Sequence, residues 1–237
     1  MLAVEDVSVS FGGIRALRGV SFTVTAGETL GLVGPNGAGK TTLFNVISGV
    51  QAPSGGRIVF DGRPLAREPD WRRARRGIGR TFQIPQPMHE LTVRENLIVA
   101  QSFGAGRRDP ARIDAILALL GLSPKADRDA STSLSLTEQK ALEVAKALAT
   151  EPRLLLLDEV LGGLETTTKR AFAGTLAEVR ERYGLTLIVI EHDIETITNL
   201  CPRALVLDFG ELIADGPPRE VFRDPAVMRS YTGEAAA

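Results

Sequence analysis

A glycine-rich stretch between a short apolar run and a helical pattern constrains this chain more than any other feature. Residues 34–42 are Gly-Pro-Asn-Gly-Ala-Gly-Lys-Thr-Thr, which matches the phosphate-loop pattern G-x-x-x-x-G-K-[ST]. The run Thr29 to Val33 before it predicts a buried strand, and apolar residues from Leu43 to Ile47 recur at helical spacing until Gly49. The sequence therefore places the glycines between a strand and a helix, where a phosphate loop must lie.

This loop predicts a nucleoside triphosphate site. Glycines let the backbone wrap closely, so that successive N–H groups point at phosphate oxygens, and the helix N-terminus adds about half a positive charge. Lys40 is expected to neutralise the β- and γ-phosphates, and the Thr41 hydroxyl is expected to reach Mg²⁺. The residues predicted to bind the triphosphate are Gly34, Pro35, Asn36, Gly37, Ala38, Gly39, Lys40, Thr41 and Thr42.

Length and composition favour one compact α/β protein. The chain has 237 residues, which is enough to bury a substantial core. Its formal net charge is −1, so it has no overall electrostatic field that attracts nucleic acid or anionic lipid. The single cysteine, Cys201, excludes an internal disulfide and is expected to be a buried apolar residue. The N-terminus has no signal-peptide pattern, and no apolar run approaches the length of a membrane span. Any role at a membrane is therefore expected to be peripheral.

The periodicity of the chain changes from front to rear. Strands with alternating apolar and polar residues are predicted at 4–9, 19–25 and 55–60. From Leu91 the spacing becomes helical. Continuous apolar runs, typical of parallel strands covered on both faces, then occur at 154–157, 187–190 and 204–207. The helical middle is best explained as an insertion in one α/β core.

Two acids follow the first of these apolar runs. Asp158 and Glu159 come directly after Leu157, at the C-terminal edge of the predicted strand, where ligands bind in open α/β sheets. We expect Asp158 to hold Mg²⁺ and Glu159 to orient or deprotonate an attacking water. The alternative is a strand that simply ends in solvated acids, which the phosphate loop elsewhere in the chain makes the weaker interpretation.

Two further polar residues have positions suited to the same chemistry. Gln83 precedes the helical middle and is expected to reach the magnesium ion or the water. His192 follows the next apolar strand, where an imidazole can hydrogen-bond the γ-phosphate or the attacking water. The other histidine, His89, lies in a proline-rich stretch and is expected to be an ordinary surface residue.

The arginine-rich run from Arg72 to Arg76 allows two interpretations. It has the charge to contact nucleic acid or phospholipid head groups. Glu68 and Asp70 dilute that charge and Trp71 is the one aromatic residue beside it, which favours a solvated helix followed by a turn at Gly77.

The order of these motifs resembles the ATP-binding cassette (ABC) ATPases over nearly the whole chain. The phosphate loop, Gln83, a signature segment, the two acids and His192 follow one another as in that family. Phe11 stands where the family places an aromatic ring that stacks on adenine. Residues at 11–13, 77–83 and 210–231 further resemble the ATPase subunits of branched-chain amino-acid uptake systems. Related cassettes for urea, amides or other small polar solutes share much of this pattern.

The resemblance implies a fold as well as an activity. It implies a P-loop (RecA-like) α/β ABC nucleotide-binding domain with an antiparallel β subdomain and an inserted helical subdomain. Residues 1–237 would then be one ABC ATPase domain. Residues 1–84 and 152–237 would form the RecA-like core with the β subdomain, and residues 85–151 would form the helical subdomain that carries the signature segment.

The signature segment departs from the family pattern L-S-G-G-Q. Residues 134–138 are Leu-Ser-Leu-Thr-Glu. Ser135 and Glu138 keep the capping-box spacing of a helix N-terminus, and in the family this helix end points at the γ-phosphate bound by the opposite subunit. Thr137 replaces a glycine that approaches the phosphate, so its side chain either crowds that approach or donates a hydrogen bond there. We expect Ser135, Thr137 and Glu138 to form a working signature.

The resemblance also implies the chemistry and the partners. The chain would bind ATP and Mg²⁺ and energise import of a small polar solute, most specifically branched-chain amino acids, through separate permease subunits. Glu159, His192 and Gln83 would be catalytic, and Thr41, Gln83 and Asp158 would hold the metal. The expected partners are a second ABC ATPase subunit, identical or related, the integral membrane permease subunits and indirectly an extracytoplasmic solute-binding protein, with no nucleic acid. The expected location is the cytoplasmic face of the inner membrane, as a peripheral protein.

Other functions stay open on the sequence. A soluble ABC ATPase of DNA repair or translation needs no membrane partner, but repair relatives carry long coiled coils and translation relatives carry two cassettes in one chain. Neither feature is visible in this sequence. An ATP-dependent regulatory subunit that closes but barely hydrolyses is favoured only if Thr137 disables the composite site. A simple phosphate-loop kinase explains neither the helix at Ser135 nor His192.

Overall fold

A computed structural model of the chain describes residues 1–232. The chain forms two compact units, one made of residues 1–70 with 188 onward and one made of residues 71–187. Each unit combines strands with helices. Within residues 1–232 the model contains no helix that is both long enough and apolar enough to span a membrane.

The first unit begins with an antiparallel sheet. Strand β1 (Leu2–Phe11) pairs with β2 (Ile14–Val24) on one side and with β4 (Gly55–Phe60) on the other, and β4 pairs with the short β5 (Arg63–Pro64). The strand order is β2-β1-β4-β5. Buried and accessible residues alternate along β1, as expected for a sheet with one covered face. The structure confirms the alternating strands that the sequence predicts in this region.

The first unit also contains the strands that support the phosphate loop. Strand β3 (Thr29–Val33) pairs in parallel with β9 (Arg203–Asp208), which pairs antiparallel with β10 (Glu211–Gly216). All five residues of β3 are buried, because both faces of the strand are covered. The helices of this unit are α1 (Lys40–Ser48), α7 (Ile194–Leu200), α8 (Pro218–Val221) and α9 (Pro225–Thr232).

The second unit is mainly helical. Its helices are α2 (Asp70–Arg75), which starts at the unit boundary, α3 (Val93–Gly104), α4 (Pro110–Leu119), α5 (Leu136–Ala149) and α6 (Thr166–Tyr183). Strand β6 (Ile78–Arg80) pairs in parallel with β7 (Leu154–Asp158). Strand β8 (Thr186–Ile190) runs across the boundary between the two units. Every residue of β7 and β8 is buried, as their continuous apolar sequences predict.

Two helices of the second unit begin at complete capping boxes. At the start of α3, the Glu95 N–H donates to the Thr92 hydroxyl at 3.1 Å, and the Thr92 N–H donates to the Glu95 carboxylate at 2.8 Å. At the start of α5, the corresponding distances between Glu138 and Ser135 are 3.4 and 2.7 Å. Each box satisfies two backbone donors that the helix itself leaves without partners. The capping box that the sequence predicts for Ser135 and Glu138 is therefore confirmed.

The arginine-rich run forms the short helix α2, and Gly77 makes the turn after it with a φ of 98°. Arg72 and Arg75 lie over the ring of Trp71, at 5.0 and 5.5 Å from its centroid. The expectation of a fully solvated helix is wrong for Arg73, which is only 2% exposed. The charge pattern missed this burial because it does not show which side of a short helix faces the protein.

Cys201 is buried, as the sequence predicts. Burial, together with the nearby Glu191 carboxylate, raises the pKa of the Cys201 thiol to about 12. The thiol therefore stays protonated at physiological pH and acts as an apolar core residue.

An ion cluster ties β9 to β10 and to the end of β2. Arg203 donates to the Asp215 carboxylate at 2.6 and 2.7 Å, and its third nitrogen donates to the Glu28 carboxylate and the Thr23 carbonyl, each at 3.0 Å. Burial raises the pKa of Glu28, but hydrogen bonds from Thr25 and Arg203 outweigh burial, so this pKa lies below its ordinary value. The cluster therefore favours the ionised Glu28.

Replacing Arg203 with Met is expected to lower the free energy of unfolding by about 1–3 kcal/mol at pH 7, because partly buried carboxylates lose charged hydrogen bonds. The pKa of Glu28 is lowered in the fold, so ionised Glu28 adds to the free energy of unfolding. This contribution is full above the ordinary glutamate pKa and is lost as the pH falls through the lowered pKa of the folded chain. The difference between the variant and the parent chain should therefore shrink at acidic pH. Urea unfolding at several pH values measures both effects.

The control is Arg18→Met, which removes an ion pair to Glu211 whose side chains are 48% and 57% exposed. It should cost less than about 1 kcal/mol. Equal destabilisation by the two variants would contradict the role given to the cluster.

Candidate functional site

The lysine of the phosphate loop is hydrogen-bonded to the backbone of the same loop. Lys40 is buried, and its Nζ donates to the carbonyl oxygen of Gly34 at 2.7 Å and to that of Pro35 at 2.9 Å. The loop lies between β3 and α1, as the sequence predicts. Asn36 and Thr41 are exposed at the surface of the loop, where a phosphate chain can reach them. The backbone thus already encloses a positive charge.

Two glycines of the loop have no room for a side chain. A Cβ atom at Gly34 would lie 2.0 Å from the carbonyl oxygen of Leu207, and one at Gly39 would lie 2.6 Å from that of Ala16. Both residues also have left-handed φ angles, 144° and 104°. The loop backbone therefore packs directly against β9 and β2, which fixes its shape from behind.

The turn between β9 and β10 and the C-terminal helix also contact the loop. The Gly210 N–H donates to the carbonyl oxygen of Ala38 at 3.0 Å. On α9, the phenol oxygen of Tyr231 accepts a hydrogen bond from the backbone of Gly34. Burial raises the pKa of Tyr231, and this hydrogen bond offsets only part of the increase. The sequence did not indicate this contact, since the tail was notable only for its resemblance to one subfamily.

Phe11 and His192, both predicted site residues, belong to the first unit. Phe11 is the last residue of β1 and is 49% exposed. His192 follows β8 and is exposed. The next residue, Asp193, is the N-cap of α7, and its side chain accepts a hydrogen bond from the Glu195 N–H at 3.2 Å. The cap fixes the backbone immediately after the imidazole.

The second unit brings Gln83 and Glu159 together. The Nε2 atom of Gln83 donates to Oε2 of Glu159 at 2.6 Å, across 76 residues of sequence. Glu159 is half-buried and follows directly after β7. The sequence named both residues, and the fold shows that they are in contact.

Asp158 has a different environment from its neighbour Glu159. It is the last residue of β7, is 2% exposed, and accepts a hydrogen bond from Arg80 at 3.1 Å. Burial lowers the pKa of Arg80, and the charge of Asp158 counteracts this effect. The Thr81 hydroxyl accepts a hydrogen bond from the Asp158 N–H at 3.0 Å. Two adjacent acids thus differ in burial and in partners, which suits different roles.

The signature residues lie at the start of α5. Ser135 is the exposed N-cap, and Thr137 is half-buried in the first turn. Glu138 completes the capping box and also accepts a hydrogen bond from Lys125 at 2.7 Å. The Lys125 hydrogen bond, followed by those from Ser135, lowers the pKa of Glu138 despite some burial. The carboxylate is therefore occupied in holding the helix end.

A phosphate loop after a buried strand, an acid pair after a second strand and a capped signature helix define a P-loop ATPase of the ABC type. The family model described as ABC transporter matches residues 17–162. A second model, described as branched-chain amino acid ATP-binding cassette transporter, matches residues 211–237. The chain belongs to the ABC transporter family, as an ATPase subunit. The family and the function class predicted from the sequence are confirmed.

Relatives match the whole chain. The high-affinity branched-chain amino acid transport ATP-binding protein LivG of Salmonella typhimurium is 36% identical over 99% of this chain and 98% of LivG. The high-affinity branched-chain amino acid transport ATP-binding protein BraF of Pseudomonas aeruginosa is 34% identical over 99% of this chain and 98% of BraF. The ADP conformation of MJ1267, an ATP-binding cassette of an ABC transporter, superimposes with a TM-score of 0.89 at 31% identity over 99% of both chains. This likeness confirms the predicted fold class.

Gly34→Ala is expected to disrupt the phosphate loop. Both Gly34→Ala and the control Gly37→Ala place a side chain on a left-handed backbone, which costs about 1–2 kcal/mol. A Cβ at Gly37 has nothing within 4 Å, whereas one at Gly34 collides with the Leu207 carbonyl. The Gly34 variant should therefore lose about 1–3 kcal/mol more, as measured by urea unfolding of the nucleotide-free chain. Equal losses would contradict the packing of the loop against β9.

Proposed function

We propose that this chain is the ATP-hydrolysing subunit of a system that imports branched-chain amino acids through separate membrane permease subunits. The contact between Gln83 and Glu159, at 2.6 Å, is the observation that best supports the hydrolytic mechanism. The full-length likeness to LivG and BraF and the match of the tail support the choice of solute.

Nucleotide binding uses the phosphate loop and Phe11. The backbone N–H groups of residues 34–42 and the positive end of α1 attract the triphosphate. Lys40 exchanges its bonds to the loop carbonyls for the β- and γ-phosphates. The exposed Phe11 ring stacks on adenine.

The donor set proposed for the metal fits Mg²⁺. Thr41, Gln83 and Asp158 offer a hydroxyl, an amide oxygen and a carboxylate, which are the hard oxygen ligands that Mg²⁺ prefers. Gln83 uses its nitrogen to contact Glu159, which leaves its oxygen for the metal. Among residues 1–232 no group of three or more His, Cys, Asp or Glu side chains forms a self-sufficient metal site, in keeping with an ion held partly by phosphate. When bound, Mg²⁺ neutralises charge on the phosphates.

Glu159 is the group that activates water. Gln83 holds its carboxylate in place, and Glu159 accepts a proton from the water as the water oxygen bonds to the γ-phosphorus. The bond from that phosphorus to the bridging oxygen breaks, and ADP and inorganic phosphate are the products. His192 donates a hydrogen bond to the γ-phosphate. When hydrolysis removes the γ-phosphate, His192 loses this hydrogen bond.

The signature helix and the helical region act on partners. Ser135, Thr137 and the N-terminus of α5 contact the ATP held by a second cassette, with the Thr137 hydroxyl as an additional donor where the family has glycine. Exposed side chains of residues 85–151, the proposed helical subdomain, and of the segment around Gln83 contact the cytoplasmic side of the permease. The exposed side chains of Ile84 and Phe103, at 74% and 72%, suit such an apolar contact. This assembly places the chain at the cytoplasmic face of the inner membrane.

Another transport function has some support. The lipopolysaccharide export system ATP-binding protein LptB of Haemophilus influenzae is 34% identical over 99% of this chain. The tail favours amino-acid import, because residues 211–237 match the branched-chain amino acid model. Repair, translation and regulatory roles are not favoured, since the full-length relatives are transport subunits.

Glu159→Gln is expected to lower steady-state ATP hydrolysis of the assembled complex by about 10²–10⁴-fold, because the amide cannot accept the proton from water. Binding of MgATP should persist, since the residues of the phosphate loop are unchanged. The matched control is Glu178→Gln on the exposed face of α6, which should hydrolyse ATP at the parent rate. Unchanged hydrolysis in the Glu159 variant would exclude Glu159 as the base.

The transport assignment is tested by purifying the tagged chain from its native membranes in a gentle detergent and identifying the co-purifying proteins. We expect permease subunits, and hydrolysis by the reconstituted complex that increases with leucine-loaded binding protein. Phe103→Asp should weaken co-purification, whereas Met228→Asp, a change at a 55% exposed side chain on α9, should not. Recovery of lipopolysaccharide-export components would favour the LptB-like function. Recovery with ribosomes or DNA would contradict transport.

A further inference from the structure

Lys140 is a buried cation that contacts the backbone of Glu159. Its Nζ donates to the carbonyl oxygen of Glu159 at 2.8 Å, and the residue is only 5% exposed. Burial of an ammonium group is costly unless the group is hydrogen-bonded, so this contact constrains where the carbonyl can lie. Two other lysines that contact α5 acids, Lys125 and Lys146, pair with Glu138 and Glu143 and do not show this contact.

The backbone of Glu159 is in a conformation that its neighbours must maintain. Its φ is 52°, in the left-handed region that residues other than glycine rarely adopt. The same carbonyl oxygen accepts a hydrogen bond from the Gly162 N–H at 3.2 Å, within the turn after β7. Lys140 and Gly162 therefore hold one peptide group from two directions. This peptide group is bonded to the Cα atom of Glu159, from which the side chain extends to its contact with Gln83.

Lys140 belongs to the same helix as the signature residues. Helix α5 has its N-cap at Ser135, and the capping box with Glu138 orders its first turn. The helix continues without interruption from Leu136 to Ala149. One continuous helix therefore connects the signature residues to Lys140, and the Lys140 hydrogen bond connects that helix to the Glu159 peptide group.

We propose that Lys140 is a positioning residue for Glu159 and that it links the signature helix to the hydrolytic site of the same chain. The inference rests on the proposed function, in which the N-terminus of α5 contacts the ATP of a second cassette. Engagement of that ATP fixes α5, and the Lys140 ammonium then holds Glu159 in the orientation that activates water. Occupancy of one nucleotide site thereby regulates catalysis at the other.

The test compares Lys140→Met, which removes the donor, with Lys140→Arg, which retains one, in the assembled complex with its permease. Misplacement of a reacting group by about 1 Å can cost about 10²-fold, so Lys140→Met should lower kcat at least about tenfold. The KM for MgATP should change less than about twofold, and the cooperativity of hydrolysis with ATP concentration should fall. Lys140→Arg should recover part of kcat. A Lys140→Gln variant supplies a second measurement if the Met variant does not fold.

The matched control is Lys146→Met on the same helix. Lys146 also donates to a backbone carbonyl, but its partners are the Gln86 carbonyl and the Glu143 carboxylate, each at 2.6 Å. Its kcat should stay at the parent value. If Lys146→Met and Lys140→Met lower kcat, KM and thermal stability alike, Lys140 has only a structural role and the proposal is wrong.

A double-mutant cycle separates this proposal from the proposed function. If Lys140 acts through Glu159, then Lys140→Met should cause no further loss of hydrolysis in a Glu159→Gln background. Additive losses would overturn the positioning role. If Glu159→Gln is inactive and Lys140→Met hydrolyses at the parent rate, the link through Lys140 is wrong while the proposed function stands. If Glu159→Gln is itself active, the catalytic base of the proposed function is wrong.

Discussion

The backbone of the phosphate loop lies so close to β2 and β9 that two of its glycines cannot carry a Cβ atom. This contact fixes the shape of the loop, because the strands behind it are paired and buried. Lys40 donates to two carbonyl groups of the same loop, which keeps its positive charge within the loop. Tyr231 on the C-terminal helix and Gly210 in the turn between β9 and β10 add further contacts. The strands of the first unit thus hold the phosphate loop from behind.

The second unit shows how adjacent acids acquire different chemistry. Asp158 ends a buried strand and is paired with Arg80, whereas Glu159 lies just outside the strand, half-buried and in contact with Gln83. A carboxylate fixed by a guanidinium suits a metal ligand, and one held by a neutral amide can still accept a proton. The difference arises because the β-strand ends between them and the backbone turns to a positive φ at Glu159.

Much of this arrangement could be predicted, because the local signals are strong. The phosphate loop, the buried strand before it and the capping boxes at Thr92 and Ser135 each depend on residues within a few positions of one another. The burial of Arg73 and the contact of Tyr231 with Gly34 could not be predicted. They depend on which surface of a helix packs against the protein, and charge patterns in a short or polar helix do not reveal it.

The sequence by itself determined the class of chemistry: a nucleotide loop, two acids after a strand, a glutamine, a histidine and a capped helix in the order of the ABC ATPases. Tertiary structure decided which of these residues touch. Gln83 meets Glu159 across 76 positions, and Lys140 reaches the carbonyl of Glu159 from the signature helix. Local sequence patterns predict hydrogen bonds between residues within one helical turn of each other. Contacts between distant segments depend on how buried strands and helices pack, and packing is a property of the whole fold.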